Sequence, residues 1–457
     1  MKETVRLAKA RVHFIGIGGI GMCGLAELLH NMGVQVKGSD VSENQQTLHL
    51  REIGVRVHIG HQVENLNDVD VAVYSSAVKS DNIEFAEAKK RKIPLIPRAE
   101  ALAEIMRLRR GVAVAGSHGK TTTTSIVATI FLHARLDPTI VVGGRLDLIK
   151  STAKLGSGDW VVAEADESDG SFNRLSPEVA IITNIDNDHL DHFGSMKNLE
   201  SAFFEFASRV PFYGVAVICG DDPHVRQVFK DFPKRLTTYG FDKKNDFYLE
   251  GARSKYKIYR QVGAKSEFVG EFKLRVPGRH NALNALAAII VGNYAGISFE
   301  KCLQGVELYA GVDRRFQKKG SALGVDYYDD YGHHPTEIRA VLSAFREQFP
   351  EQRLVVLFQP HRFTRTQSCW EDFKKCFEPV DRLYMLDIYP AGESPIAGIT
   401  SKKLVSEIKV SHCDYIPNRE KAVEQIAKHL KSGDIFLTLG AGDVYKLGDE
   451  LYLRALR

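Results

Sequence analysis

Twice in its first 121 residues this chain runs a short apolar segment into glycines and then into a helical pattern. Val12 to Ile15 leads into Gly16, Gly18, Gly19 and Gly21, and Val112 to Ala115 leads into Gly116, Ser117, His118, Gly119, Lys120 and Thr121. Strand, glycine turn and helix in that order form a unit of parallel-sheet architecture, with helix-start N–H groups aimed at the strand end where phosphate oxygens bind. The alternation continues. Val34 to Gly38 and Val71 to Tyr74 follow the first loop, and Trp160 to Ala163, Val179 to Thr183 and Val215 to Cys219 follow the second. Val325 to Asp329, Arg353 to Phe358, Arg382 to Leu386 and Ile435 to Thr438 form a third cycle. Between about Asp246 and Val276 polar and apolar residues alternate between glycines, which predicts an antiparallel meander.

The expected fold class is α/β with three domains: an N-terminal Rossmann-like domain, a central P-loop ATPase-like parallel sheet with an antiparallel meander, and a C-terminal Rossmann-like domain. A length of 457 residues fits about three domains at ~150 residues each. The boundaries are placed at 1–107, 108–312 and 313–457.

Composition excludes several other classes. The longest apolar stretch, Ala285 to Val291, falls far short of the ~18 residues that span a bilayer, so no membrane insertion is expected. The basic N-terminus runs into a glycine-broken strand, unlike a signal peptide. Six scattered cysteines without a C-x-x-C pair predict free thiols and a cytoplasmic protein. With 61 basic residues against 57 acidic ones and no dense basic tract, nucleic acid is not an expected partner.

The second glycine loop carries the nucleotide chemistry. Glycine lets backbone N–H groups turn toward phosphate, Lys120 adds charge, and the Thr121 hydroxyl, followed by Thr122, can ligate magnesium. Val114 stands where the strict G-x-x-x-x-G-K-[ST] pattern has its first glycine. Magnesium also wants carboxylates, and Glu164, Asp166, Glu167 and Asp169 follow a strand; spacing does not separate a metal ligand from a solvated acidic turn among the four. Asn184, Asp186, Asp188, His189 and Asp191 follow another strand, although magnesium disfavours nitrogen and a lone histidine is more often structural.

In the first loop Gly16, Gly18 and Gly21 match G-x-G-x-x-G, and Asp40 ends the next strand about 20 residues on. Only backbone groups touch the pyrophosphate in such a loop, so it fits a uridine nucleotide sugar as well as NAD.

Together, Phe14 to Met22, Gly116 to Thr121, Asn184 to His192, Arg279-His280-Asn281, Asp329 to Pro335 and His361-Arg362-Phe363-Thr364-Arg365 resemble the Mur ligases of peptidoglycan synthesis, over essentially the whole chain. The Ile20-Gly21-Met22 form of the first loop and Tyr389 to Glu393 look like the alanine-adding branch. The resemblance implies that ATP phosphorylates the lactyl carboxylate of UDP-N-acetylmuramate and that the L-alanine amine attacks the acyl phosphate, with Mg2+ as cofactor. It implies that Gly116 to Thr122 hold ATP, that Thr121, Glu164 and His189 ligate magnesium, and that His280, Asn281 and Asn284 face adenine. Arg315 then reaches the phosphates and Asp330 the ribose, as the C-terminal domain closes on ATP and amino acid.

The nucleotide sugar falls to Gly16, Gly18, Gly19, Gly21, Met22, Ser39, Asp40, Ser75 and Ser76, with Tyr331, His361, Arg362 and Arg365 on the carboxylate side. Lys120, His333, Arg362 and Arg365 are the implied catalytic groups, His333 being a candidate general base. Phe203 stands where later ligases of the pathway carry a modified lysine, which excludes a carbamylated lysine there. A monomer or weak homodimer is expected. A tripeptide-recycling ligase shares nearly every motif, whereas an NAD-dependent oxidoreductase leaves Lys120 and the third domain without a role.

Overall fold

The structure is a computed structural model that describes residues 10–456 apart from Ser76, Asp147 and Asn418. Three sheets follow one another along the chain. The first is wholly parallel, in the order β3-β2-β1-β4-β5, with β1 (Arg11–Ile15), β2 (Gln35–Asp40), β3 (Arg56–Ile59), β4 (Val71–Tyr74) and β5 (Leu95–Pro97). Its helices are α1 (Ile20–Asn31), α2 (Gln45–Glu52), α3 (Ile83–Lys90) and α4 (Arg98–Met106).

The second sheet holds β6 (Arg110–Ala115), β7 (Thr139–Leu146), β8 (Ser151–Lys154), β9 (Trp160–Glu164), β10 (Val179–Ile182), β11 (Val215–Cys219), β12 (Leu236–Gly240), β13 (Phe247–Ala252), β14 (Lys255–Val262) and β15 (Lys265–Lys273). Their order is β15-β14-β13-β12-β11-β10-β6-β9-β7-β8. Its centre is parallel, and β10 and β11 are buried along their whole length, as strands covered on both faces must be. The expected meander is present as β13, β14 and β15, adjacent strands joined by two-residue turns at 253–254 and 263–264. The helix after the second glycine loop, α5 (Lys120–His133), is buried from Thr122 to Phe131. The antiparallel β7–β8 pair was not anticipated: its central glycines and charges hide any period-two signal.

The third sheet runs β16-β17-β21-β18-β19-β20, with β16 (Gln317–Ala322), β17 (Val325–Asp330), β18 (Leu354–Phe358), β19 (Arg382–Met385), β20 (Cys413–Tyr415) and β21 (Ile435–Leu439). All its pairs are parallel except β16 with β17. β16 reads Gln-Lys-Lys-Gly-Ser-Ala, a polar edge strand that hydrophobic periodicity cannot reveal. Along β18, Leu354, Val356 and Phe358 face one hydrophobic cluster, and Val355 and Leu357 face the other.

Contacts divide the chain into two compact units: Met1–Glu250 with Lys257–Phe272 and Leu283–Tyr309, and Gly251–Tyr256 with Lys273–Ala282 and Ala310–Arg457. The first two sheets share the first unit because one continuous core, from Val12 and Phe14 through Ala113 and Ile182 to Phe229, runs across both. No described helix is long and apolar enough to cross a membrane.

Candidate active site

In the first unit the loop between β6 and α5 is stitched to the end of β10. His118 N donates to Asn184 Oδ1 at 2.8 Å, Asn184 Nδ2 returns a bond to the His118 carbonyl at 2.9 Å, and Ser117 Oγ accepts from Asp186 N at 2.8 Å. The His118 ring meets the Asp186 carboxylate at 2.8 Å. Gly116 has φ +133°, and a Cβ there would stand 2.0 Å from Thr183 Oγ1. Gly119, at φ +85°, caps α5, and a Cβ on it would lie 2.7 Å from Asn284 Oδ1. The positive φ at both positions, and at Gly116 the close approach of the Thr183 side chain and backbone, favour glycine here.

The four carboxylates that spacing left equivalent have four separate partners. Glu164, at the end of β9, accepts the Thr121 hydroxyl at 2.9 Å and Gly143 N at 2.8 Å. Asp166 pairs with Arg98 at 3.2 Å. Asp169 accepts the Ser171 backbone N–H at 3.0 Å. Glu167, 1% exposed, accepts Lys120 Nζ at 2.8 Å, while its second oxygen is buried without a hydrogen-bond partner.

Lys120 also donates to the carbonyls of Gly116 and Ser117 at 2.7 and 3.1 Å, so its ammonium folds back over the loop. Burial opposes its charge, but Glu167, Asp166 and Glu164 outweigh burial and raise its pKa above the ordinary value. Burial pushes Glu167 up to about 7, with Lys120 pulling it down and Asp166 adding to the rise. His189, at φ +58°, brings Nε2 to 3.8 Å from Glu167 and 3.6 Å from Asp188. The loop, Thr121, Glu164 and His189 are thereby tied into one polar cluster through Lys120 and Glu167. Ser117 and Thr122 are buried within it. Phe203 is a buried ring packed edge-on against Phe172, and it offers no ligand atom.

The other glycine loop is held by Asp40 and Ser39 at the end of β2. Gly16 N and Ile17 N both donate to the Ser39 carbonyl at 2.9 Å, and Gly18 N donates to the Asp40 carboxylate at 2.8 Å. Gly19 caps α1. The Met22 side chain is buried at 2% exposure, and its Cγ would lie 3.7 Å from a Cβ on Gly19. Ser39 Oγ donates to Glu84, a fully buried carboxylate that also meets His13, His61 and Asn65. Ser75 follows β4, and its hydroxyl accepts from Ala77 N. Ser76 lies outside the described residues.

The second unit gathers its residues beyond the ends of β17, β18 and β21, where the strand order reverses and α/β sheets bind ligands. His333 Nδ1 lies 3.1 Å from the Tyr331 carbonyl, and its ring is 6.0 Å from His361. His361 stacks on Tyr389 at 5.5 Å and meets Arg365 Nη1 at 3.4 Å. Burial, then Arg365 and Arg362, lower His361 to about 4, so it is neutral at neutral pH. Arg362, at φ +69°, caps the helix Phe363–Ser368 beside Glu393. Arg315 pairs with Glu337 at 3.4 Å and lies over the Tyr331 ring.

His280 is lowered to about 4 by burial and Arg315. Asn281 donates to the Pro277 carbonyl at 2.8 Å. Both oxygens of Asp330 are engaged by its own backbone surroundings, Phe316 N at 2.8 Å and Gly332 N at 2.7 Å. Sequence reasoning passed over Arg98, Arg314 and Glu337. Arg98 and Glu337 lie on helices and Arg314 in the turn before β16, and none belongs to a recognisable motif spacing.

Three family models match in order: the Mur ligase family catalytic domain over 11–110, the Mur ligase middle domain over 114–292, and the Mur ligase glutamate ligase domain over 314–442. The chain is 60% identical over 450 residues to a UDP-N-acetylmuramate–L-alanine ligase of Bdellovibrio bacteriovorus, covering 98% of this chain and 99% of that one. A Geobacter relative of the same name is 49% identical over 448 residues, covering 97% of both. The crystal structure of a UDP-N-acetylmuramate-alanine ligase from Thermotoga maritima superposes with a TM-score of 0.82 at 30% identity, covering 98% of this chain and 99% of that one. Two glycine loops on successive sheets, a third sheet with its own cationic cluster, and end-to-end similarity at this level have one reading: the chain belongs to the Mur ligase family.

Proposed function

We propose that this chain is an ATP-dependent acid–amino-acid ligase that joins L-alanine to the lactyl carboxylate of UDP-N-acetylmuramate, giving UDP-N-acetylmuramoyl-L-alanine, ADP and phosphate for peptidoglycan synthesis. The observation that carries this reading is the 60% identity, over nearly the whole of both chains, to a relative named for that reaction. A carboxylate is a poor electrophile until it is made a mixed anhydride, and both the phosphoryl transfer and the tetrahedral intermediate need positive charge against developing negative charge.

The assignments are as follows. The loop Gly116 to Thr122 holds the ATP phosphates, with Lys120 turning from its own loop carbonyls and Glu167 toward them. Thr121 and Glu164 supply hard oxygens, already in contact at 2.9 Å, and His189 completes the set for Mg2+. The buried, unpartnered oxygen of Glu167 beside them fits a site that receives a cation. Magnesium bound there would screen the transferring phosphoryl group. His280, Asn281 and Asn284 are assigned to adenine, and Arg315 and Asp330 to the nucleotide's phosphates and ribose. Gly16, Gly18, Gly19, Gly21, Met22, Ser39, Asp40, Ser75 and Ser76 are assigned to the nucleotide sugar.

Arg362 and Arg365 suit carboxylates, which guanidinium binds in two-pronged fashion. His361 is neutral beside them and leaves their charge undiminished. His333, held by the Tyr331 carbonyl, is the candidate to take the amine proton. The domain boundaries 1–107, 108–312 and 313–457 belong to the same proposal, as does a cytoplasmic monomer or weak homodimer.

Phosphate release from ATP with UDP-N-acetylmuramate, measured with L-alanine, L-serine, glycine or the recycled tripeptide as acceptor, tests the reading. Highest kcat/KM with L-alanine is expected. A clear preference for the tripeptide would instead make the chain a recycling ligase.

A further inference from the structure

Arg98 occupies a place where an isolated cation is disfavoured twice. It is the first residue of α4, directly after Pro97, so it sits at the positive end of its own helix. Its side chain then crosses to the positive end of a second helix. A Cβ on Gly21, in the first turn of α1, would lie 2.9 Å from Arg98 Nη1 and 3.2 Å from its Cζ. The guanidinium thus lies across the last glycine of the G-x-G-x-x-G loop. Half-buried Asp166 compensates one charge, accepting Arg98 Nη2 at 3.2 Å. The helix start of α1, with its unsatisfied N–H groups, remains electropositive beside that pair.

The neighbourhood is closely packed. α1 packs on the β7–β8 pair so closely that a Cβ on Gly24 would stand 2.7 Å from Thr152 Oγ1, and Ser151 Oγ donates to Glu27 of α1 at 2.8 Å. The first glycine loop is therefore fixed relative to the second sheet. Asp166 lies between Glu164, bound to Thr121, and Glu167, bound to Lys120. Arg98 is the side chain that joins the start of α1 to this acidic loop.

We propose that Arg98 is a substrate-positioning residue: its guanidinium binds the pyrophosphate of the nucleotide sugar at the start of α1, while its ion pair with Asp166 sets that anion in register with the loop carrying Glu164 and Glu167. This deepens the proposed function and rests on its nucleotide-sugar site. An anion with about two negative charges supplies what two helix ends and a guanidinium lack.

The test is equilibrium titration of wild type, Arg98→Ala, Arg98→Lys and Asp166→Asn with UDP and, separately, with UDP-N-acetylmuramate, all without ATP, followed by steady-state kinetics. R98A is expected to weaken both ligands by about tenfold or more, the effect of losing one charge-assisted contact. It should raise KM for the nucleotide sugar in proportion, leave KM for ATP unchanged, and flatten the salt dependence of UDP binding. R98K should recover part of the affinity, because it keeps the charge without the fork, and it keeps the test open if the alanine variant does not fold. D166N should retain UDP affinity. Unchanged affinity for UDP and the nucleotide sugar in both Arg98 variants overturns the proposal, as does D166N weakening UDP as much as R98A, since Arg98 would then only brace the loop. Wild type that binds neither ligand would refute the proposed function instead.

Discussion

Asparagine in place of Asp330 removes a charge that the fold buries at a cost, and the size of that cost follows from its surroundings. The side chain is 2% exposed, with its two oxygens accepting Phe316 N and Gly332 N. Burial pushes the carboxyl from its ordinary 3.8 up to about 6, against the opposing pull of Arg315 and the two N–H groups. Between those values the folded chain keeps a proton that the unfolded chain has released. Stability therefore falls as pH rises through this window and levels off above it. At 1.36 kcal/mol per pH unit the fall is about 3 kcal/mol. The amide has no such term, but it turns an N–H toward one backbone donor at about 1–3 kcal/mol.

D330N should thus be less stable than wild type near pH 4 and should match or exceed it by pH 7. Trp370 is in the same unit as Asp330 and Trp160 is in the other, and these are the only two tryptophans. In a Trp160→Phe background, urea unfolding followed by Trp370 fluorescence at several pH values between 4 and 7.5 reads this unit alone. Wild-type and D330N stabilities that run parallel across that range would refute the reasoning.

Lys120→Ala is expected to abolish turnover while sparing UDP-N-acetylmuramate binding, because the two loops stand on different sheets; calorimetric titration showing equal loss of both would contradict it. Gly116→Ala places a Cβ 2.0 Å from Thr183 Oγ1 and 3.0 Å from Thr183 N at φ +133°. Strain and overpacking should cost about 2–5 kcal/mol in denaturant unfolding, and a variant as stable as wild type would show that the loop yields freely. Glu84→Ala strips the shared partner from His13, Ser39, His61 and Asn65 and should cost about 3–5 kcal/mol. Burial works against the Glu84 charge, but hydrogen bonds from His13, Ser39 and Asn65 prevail and hold the carboxyl at about 2. That contribution is present above its ordinary 4.5 and is lost as pH falls toward 2, so acid should narrow the gap between E84A and wild type. A gap independent of pH would count against it.

Much of the architecture was legible because strands covered on both faces must be continuously apolar. Val179–Ile182 and Val215–Cys219 are such runs, and the sequence placed them within a residue or two. The edge strand Gln317–Ala322 and the β7–β8 pair were not legible, since an edge needs backbone hydrogen bonds but no apolar face.

At Gly116 to Thr121, local chemistry alone determined that a strand would turn through glycines into a helix opening at Lys120, because turn geometry and helix-end polarity act over a few residues. Only the tertiary structure decided which of the four carboxylates serves which partner. Glu164 goes to Thr121, Glu167 to Lys120 and Asp166 to Arg98, while Asp169 keeps a local partner, Ser171. Those partners come from segments up to 68 residues away. A carboxylate's role depends on the charge and burial that packing brings to it, and no spacing in the chain encodes that distance.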